Sequence, residues 1–150
     1  MGWLVLRNAG RTEPWIRIED WPHPLEQPIG PALAAEFDAV DRLSGMGDDQ
    51  ILQTRWRLAD DVVEETAGQP GQADPQHIVL RQRVGLGRAY ALDTATAGVL
   101  GACDGDLTLA EIIAAVSDLI GADPAALTED TVGRVRELVL DGLLHPGTGN

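Results

Sequence analysis

Thr108-Leu109-Ala110-Glu111-Ile112-Ile113-Ala114-Ala115-Val116-Ser117-Asp118-Leu119-Ile120-Gly121 contains a full set of helix instructions, and the rest of the fold is read outward from it. Thr108 and Glu111 stand three apart, so the hydroxyl can accept from the amide of Glu111 while the carboxylate reaches back to the amide of Thr108. Leu109, Ile112, Ile113, Val116, Leu119 and Ile120 then recur at helical spacing, and Gly121 supplies the stop. Upstream, Asp93 is placed to cap a helix over 95–103. Downstream, Thr128 opens a helix carrying Val132, Val135, Leu138, Val139 and Leu143, with Gly142 as its stop signal.

Ahead of these three helices, Ile78-Val79-Leu80 and Ala89-Tyr90-Ala91-Leu92 flank Gly85-Leu86-Gly87, which reads as a β-hairpin. Strands followed by three short helices is the layout of a winged-helix-like domain, assigned to residues 32–150. Leu33, Phe37, Val40 and Leu43 mark one face of a helix over 32–43 that ends near Gly45. Residues 48–54 can form another short helix, and 56–65 mix Trp56, Leu58, Val62 and Val63 with charges in a strand-like way. Residues 22–31 carry four prolines, which forbid a helix interior or regular pairing and mark a linker. Before it, Trp3-Leu4-Val5-Leu6 and the alternating Trp15-Ile16-Arg17-Ile18 are separated by the turn chemistry of Asn8-Ala9-Gly10-Arg11, so residues 1–21 are predicted to be a second β-hairpin. The expected class is α+β.

Twenty-four acidic residues face eleven basic ones, all arginine, for a formal net charge of −13. From residue 93 onward ten acidic residues stand against Arg134 and Arg136, so a recognition helix there would meet phosphates with like charge, and nucleic acid is not an expected partner. No apolar run approaches the roughly 18 residues of a membrane span, so no membrane partner is expected. A lone Cys103 fits a reducing cytoplasm.

The motifs that suggest chemistry mostly reduce to structure. Gly85-Leu86-Gly87-Arg88 lies between strands with no following helix to receive a phosphate, so it reads as a turn. His23, His77 and His145 are far apart in sequence, with no partner at metal-ligand spacing. Cys103 shares a helical face with Leu100 and reads as a buried structural thiol. Asp48-Asp49, Asp60-Asp61 and Glu64-Glu65 lack the oxygen alternation of a calcium loop and read as a solvated charged face. No catalytic, cofactor-binding or metal-ligating residue is assigned. Trp3, Trp15 and Trp21 would form an exposed apolar patch wherever the first hairpin stood apart from a larger sheet.

Two resemblances rest on these residues. Gly2-Trp3-Leu4-Val5-Leu6-Arg7 followed by Pro14-Trp15-Ile16-Arg17-Ile18-Glu19-Asp20-Trp21 resembles the last two strands of the sheet in class I S-adenosylmethionine-dependent methyltransferases of the actinobacterial HemK-like, small-domain type. Residues 27–144 are similar to the extension that follows that sheet. An arginine-only basic set with abundant Ala, Gly, Asp and Val fits such a high-GC source. The run Leu92-Asp93-Thr94-Ala95, Cys103-Asp104-Gly105-Asp106-Leu107-Thr108-Leu109-Ala110-Glu111-Ile112 and Asp141-Gly142-Leu143-Leu144 resembles PqqD-like winged-helix modules that recognise peptides.

The chain departs from the methyltransferase pattern where catalysis would reside. It has no glycine-rich strand-to-helix turn for the methionine moiety, no matching acidic residue for the ribose, and no Asn-Pro-Pro-Tyr; its only asparagines are Asn8 and Asn150. The resemblance therefore implies a truncated piece: a non-catalytic accessory domain, serving substrate positioning or structural support, in a parent that uses S-adenosylmethionine while this chain holds no cofactor. Its implied partners are the N-terminal catalytic domain of the parent, a protein or peptide substrate, and a second copy paired through the first hairpin. The alternative is a stand-alone PqqD-like module gripping an extended peptide between the edge of the 78–92 hairpin and the last helix, in a groove of Tyr90, Val135, Arg136 and Val139. A winged-helix transcription factor is a third reading.

Overall fold

The computed structural model describes residues 4–10, 12–21, 25, 27–70 and 75–147. Its elements are α1 (Gly30–Ser44), α2 (Asp48–Gln53), β1 (Arg55–Leu58), β2 (Val62–Ala67), β3 (His77–Gln82), β4 (Ala89–Leu92), α3 (Thr94–Gly101), β5 (Asp104–Thr108), α4 (Leu109–Ile120), α5 (Pro124–Leu140) and β6 (Leu144–Pro146). The fold is α+β: among the described residues, five helices accompany two antiparallel three-stranded sheets, ordered β5–β1–β6 and β2–β3–β4. No helix among them is long and apolar enough to cross a membrane.

Local chemistry sets most boundaries. The Thr108 hydroxyl accepts from the Glu111 amide at 3.3 Å and the Glu111 carboxylate accepts from the Thr108 amide at 2.8 Å, which starts α4 as its sequence predicts. Gly121 ends it in the left-handed conformation, φ 66°. Asp93 caps α3 by accepting from the Thr96 amide and hydroxyl. β3 and β4 pair from Ile78↔Leu92 to Arg81↔Ala89, and the turn between them passes through Gly85 and Gly87 at positive φ.

Two helix starts differ from expectation. α5 begins at Pro124, not Thr128, because Asp123 caps the amides of Ala125 and Ala126 and proline sits in the first turn, where its missing N–H costs nothing. By the same logic Gly30 and Pro31, assigned to the linker, form the first turn of α1.

The core is aliphatic around one indole. Trp56 on β1 is fully buried, donates its ring N–H to the Ile51 carbonyl at 2.9 Å, and belongs to one cluster with Leu100, Leu109, Leu138 and Leu143. This cluster joins α2, β1 and the three C-terminal helices, so the floor on which the following site rests is rigid.

The hairpin expected over 1–21 is not present in the described part of that segment. Residues 4–10 and 12–21 contain no strand, and Trp3 lies outside the described residues. The alternation in 15–21 is real, but its polarity is inverted. Ile16 and Ile18 are 73% and 92% exposed, while Arg17 and Glu19 turn toward the domain body. The inward set mixes Trp15 and Trp21 with the charged Arg17 and Glu19, so it meets charged receivers on the body and not an apolar sheet face.

Candidate functional site

Asp141 caps the C-terminus of α5, where the helix dipole presents its negative end. Its carboxylate is almost completely buried, so it is tolerable there only with cationic partners. Two arginines from distant parts of the chain supply them. Arg17 donates to Asp141 at 2.5 Å and to Glu36 of α1 at 3.0 Å. Arg88 brings its Nε within 3.2 Å of Asp141 from the far side. The Gly85-Leu86-Gly87 turn is what delivers Arg88: its two positive-φ glycines reverse the chain tightly enough to point the next side chain inward.

Glu19 completes the cluster. Its carboxylate accepts both terminal nitrogens of Arg88, at 2.7 and 2.8 Å, in the parallel fork that guanidinium and carboxylate favour, and also accepts from Arg17 at 2.7 Å. The ring of Trp21 covers the Arg88 guanidinium at 4.9 Å, and Tyr90 donates its hydroxyl to Asp141. Farther along the same segment, Trp15 meets Phe37 of α1 edge-on at 6.2 Å. Arg7 donates to Asp38 and Asp41 and lies over the Phe37 ring. A cavity of about 430 Å³ opens beside the cluster, lined among others by Glu36, Asp61, Gln82, Arg88, Asp141 and His145.

The electrostatics follow from burial set against pairing. The Arg88 fork holds the Glu19 carboxyl below its usual range against the opposing effect of desolvation. Burial pushes Glu36 the other way, upward, and the two arginines only partly offset it. Burial alone would lower both arginines, but hydrogen bonds and the negative charges of Asp141 and Glu19 keep them above the ordinary guanidinium range. Burial and the Asp141 bond also raise Tyr90. The phenol and the two guanidiniums are thus held in their protonated forms, and the carboxylates of Glu19, Glu36 and Asp141 are each engaged by at least one of the arginines. Cys103 is buried, its thiol 3.4 Å from the Val99 carbonyl and pushed up to about 12, so it fits the structural reading.

Of the four residues of the expected groove, Tyr90, Val135 and Val139 meet in the packed core and do not line an open groove, while Arg136 points elsewhere. Val135 and Val139 are buried in the core, on the inner side of α5. Arg136 reaches away to the Met46 carbonyl and the Asp48 carboxylate. Tyr90 alone touches the cluster, with Arg134 over its ring at 5.4 Å. His77 and His145 lie on β3 and β6, and His23 lies outside the described residues. Most of the acidic pairs behave as charged surface, Asp48 pairing with Arg136, Asp60 with Arg57 and Glu65 with Arg81, while Asp61 turns a buried carboxylate oxygen toward the cavity. Among the described residues no group of three or more His, Cys, Asp or Glu could hold a metal ion. The residues that do converge, Arg17, Glu19, Glu36, Arg88 and Asp141, carry a faint sequence signal: Trp15, Arg17, Glu19 and Trp21 share one face of an extended chain.

Residues 34–146 match a family model described as a domain of unknown function, DUF7782, and the chain belongs to that family. The match begins after the segment bearing Arg17, Glu19 and Trp21. No curated protein matches the sequence.

Proposed function

We propose that the domain is a non-catalytic C-terminal accessory module of a cytoplasmic S-adenosylmethionine-dependent methyltransferase. It packs against the catalytic part that precedes it and supports or positions the substrate there. One observation carries the reading. The segment 4–21 is fastened to the domain body by its charged side chains, yet turns Leu4, Leu6, Ile16 and Ile18 outward at 83, 81, 73 and 92% exposure. An extended stretch held firmly on one side and bare on the other fits a chain whose apolar face is covered by further protein. Resemblance of the same residues to the closing strands of a methyltransferase sheet supplies the chemistry of that protein. In the isolated chain the available cover is a second copy, so self-association through this strip is expected.

The rival reading, a stand-alone PqqD-like peptide-binding module, is favoured by one feature: β4 lies at an edge of its sheet among the described residues, open to strand addition. The coding sequence upstream of Met1 separates the two. An in-frame extension with a glycine-rich loop and Asn-Pro-Pro-Tyr is expected, and calorimetry on the longer product should show S-adenosylmethionine binding that this chain alone lacks. A stop codon directly upstream would sink the accessory reading. So would binding by this chain alone tighter than about 100 μM, near −5.5 kcal/mol, since that implies a formed pocket.

A further inference from the structure

We propose that residues 15–21 are a side-chain latch: a detachable strap whose Arg17, Glu19 and Trp21 lock the domain body in one orientation relative to the chain that precedes it. Only what the latch serves rests on the accessory-module reading; the latch itself is a property of this chain.

The contacts are of one kind. Among the described residues no backbone hydrogen bond joins 12–21 to the body, so the strap can leave without breaking a ladder. Its hold is a row of side chains two apart, each meeting a shaped receiver. Trp15 meets Phe37, Arg17 enters between the carboxylates of Glu36 and Asp141, Glu19 takes the Arg88 fork, and Trp21 closes over that guanidinium. The receivers come from α1, the β3–β4 turn and the end of α5, three elements of the rigid core. Strap and body also need each other for charge. The body offers two carboxylates against Arg88, with Tyr90 donating and Asp61 and His145 lining the adjoining cavity. Asp20 and Arg81 border the strap's other flank. Without Arg17, Glu36 and Asp141 would share one cation.

The tether makes the latch decisive. Residues 22–29 link strap to α1 along the chain, eight residues that span at most about 28 Å when extended. With the strap seated, residues 15–21 are fixed on the body; with the strap released, the chain before it is held by Arg7 on Asp38 and Asp41 and by the length of the tether. The strap itself is therefore held by five charged side chains and two indoles, Trp15 and Trp21, rather than by the linker.

Trypsin provides the test on the full chain, because it needs the Arg17 guanidinium that the latch holds. Cleavage after Arg17 is followed by mass spectrometry, with cleavage after Arg134, inside α5, reporting the integrity of the body. Wild type should be cut slowly at Arg17. Glu19→Gln should speed that cut about tenfold or more while Arg134 stays protected, since proteolysis of a transiently open segment follows the open population. The neighbouring Asp20→Asn should leave the rate unchanged. Wild type cut at Arg17 as fast as Glu19→Gln would overturn the latch. Loss of protection at Arg17 and Arg134 together would also overturn it, by showing the strap to be an inseparable part of one cooperative body. Neither outcome bears on the methyltransferase reading, which involves no component of this experiment.

Discussion

The two ends of the molecule are held by opposite physics. From α3 to β6 the chain is fixed by burial of Leu100, Leu109, Leu138, Leu143 and their neighbours around Trp56, with caps such as Thr108 and Asp93 tidying the helix ends. From residue 4 to 21 the chain turns large apolar side chains outward and is fixed by Arg7, Arg17 and Glu19. Apolar burial is non-directional and tolerates no water, so the C-terminal part forms one body. Charged forks are directional and break pair by pair, and the strap's own Arg17 and Glu19 regain water when it leaves. The difference assigns roles: the C-terminal part is scaffold, and the N-terminal part is an attachment whose strength can be tuned.

The largest effect should come from breaking the scaffold. Trp56→Ala removes an indole with no exposure and takes from the Ile51 carbonyl its 2.9 Å bond, leaving the Thr54 amide at 3.3 Å as its partner. A loss of about 3–5 kcal/mol is expected by denaturant titration, with strap and body lost together because the receivers for the strap sit on the same core. A drop under about 1 kcal/mol would mean the core does not carry the fold as described.

Acid should separate the two regions. Glu19 has its carboxyl lowered below the ordinary 4.5 by the Arg88 fork. Its contribution is therefore complete above that value and fades as pH falls through the lowered folded value. Glu36 is raised by burial, so it carries the opposite sign: its contribution is greatest at low pH and is lost as pH rises through its raised value. Glu36 thus protonates first on acidification without loss of stability, and the strap lets go when Glu19 follows. Asp93, whose carboxyl is lowered by the Thr96 bonds that oppose its burial, and Glu111, lowered by its bonds to Thr108, lose their caps in the same acid range. Apolar burial does not titrate, so the body should outlast the strap. Indole NMR signals followed from pH 6 through 4.5 to 3 should show Trp15 and Trp21 losing their folded positions before Trp56 does. Simultaneous opening would remove the distinction between the regions.

What the sequence made legible follows the same division. α3, α4 and the β3–β4 hairpin are set by neighbours within four residues or by a glycine turn, so Asp93, Thr108 with Glu111, and Gly85 with Gly87 declare them locally. The beginning of α5 was equally local, in Asp123-Pro124, but the periodicity from Val132 onward drew attention to Thr128 instead. The strap is different. Alternation at Trp15-Ile16-Arg17-Ile18 reveals two faces without saying which is inside, and the usual preference for an apolar interior gives the wrong answer because the receivers lie elsewhere. Arg88 is 69 residues from Glu19, and Asp141 is 124 from Arg17. No window in a single sequence joins them. The groove of Tyr90, Val135, Arg136 and Val139 shows the converse: spacing grouped residues that α5 divides between its buried face and the Met46 side.

The smallest expected effect tests whether charge alone explains the strap. Arg57 and Asp60 form an ion pair at 2.9 Å, comparable in length to those of the cluster, but their side chains are 58 and 89% exposed. Arg88 and Asp141, by contrast, are 6 and 1% exposed. An exposed pair gains little because water already stabilises both partners and the long arginine side chain loses freedom in holding the geometry. Asp60→Asn should therefore change stability by no more than about 0.5 kcal/mol and leave cleavage at Arg17 untouched. Burial changes both halves of that balance at Asp141. Its partners cannot be replaced by water without cost, and the carboxylate sits at the negative end of α5, where the dipole already opposes it. If Asp60→Asn proved as damaging as Glu19→Gln, distance rather than burial would govern these pairs, and the strap would be one more surface contact among several.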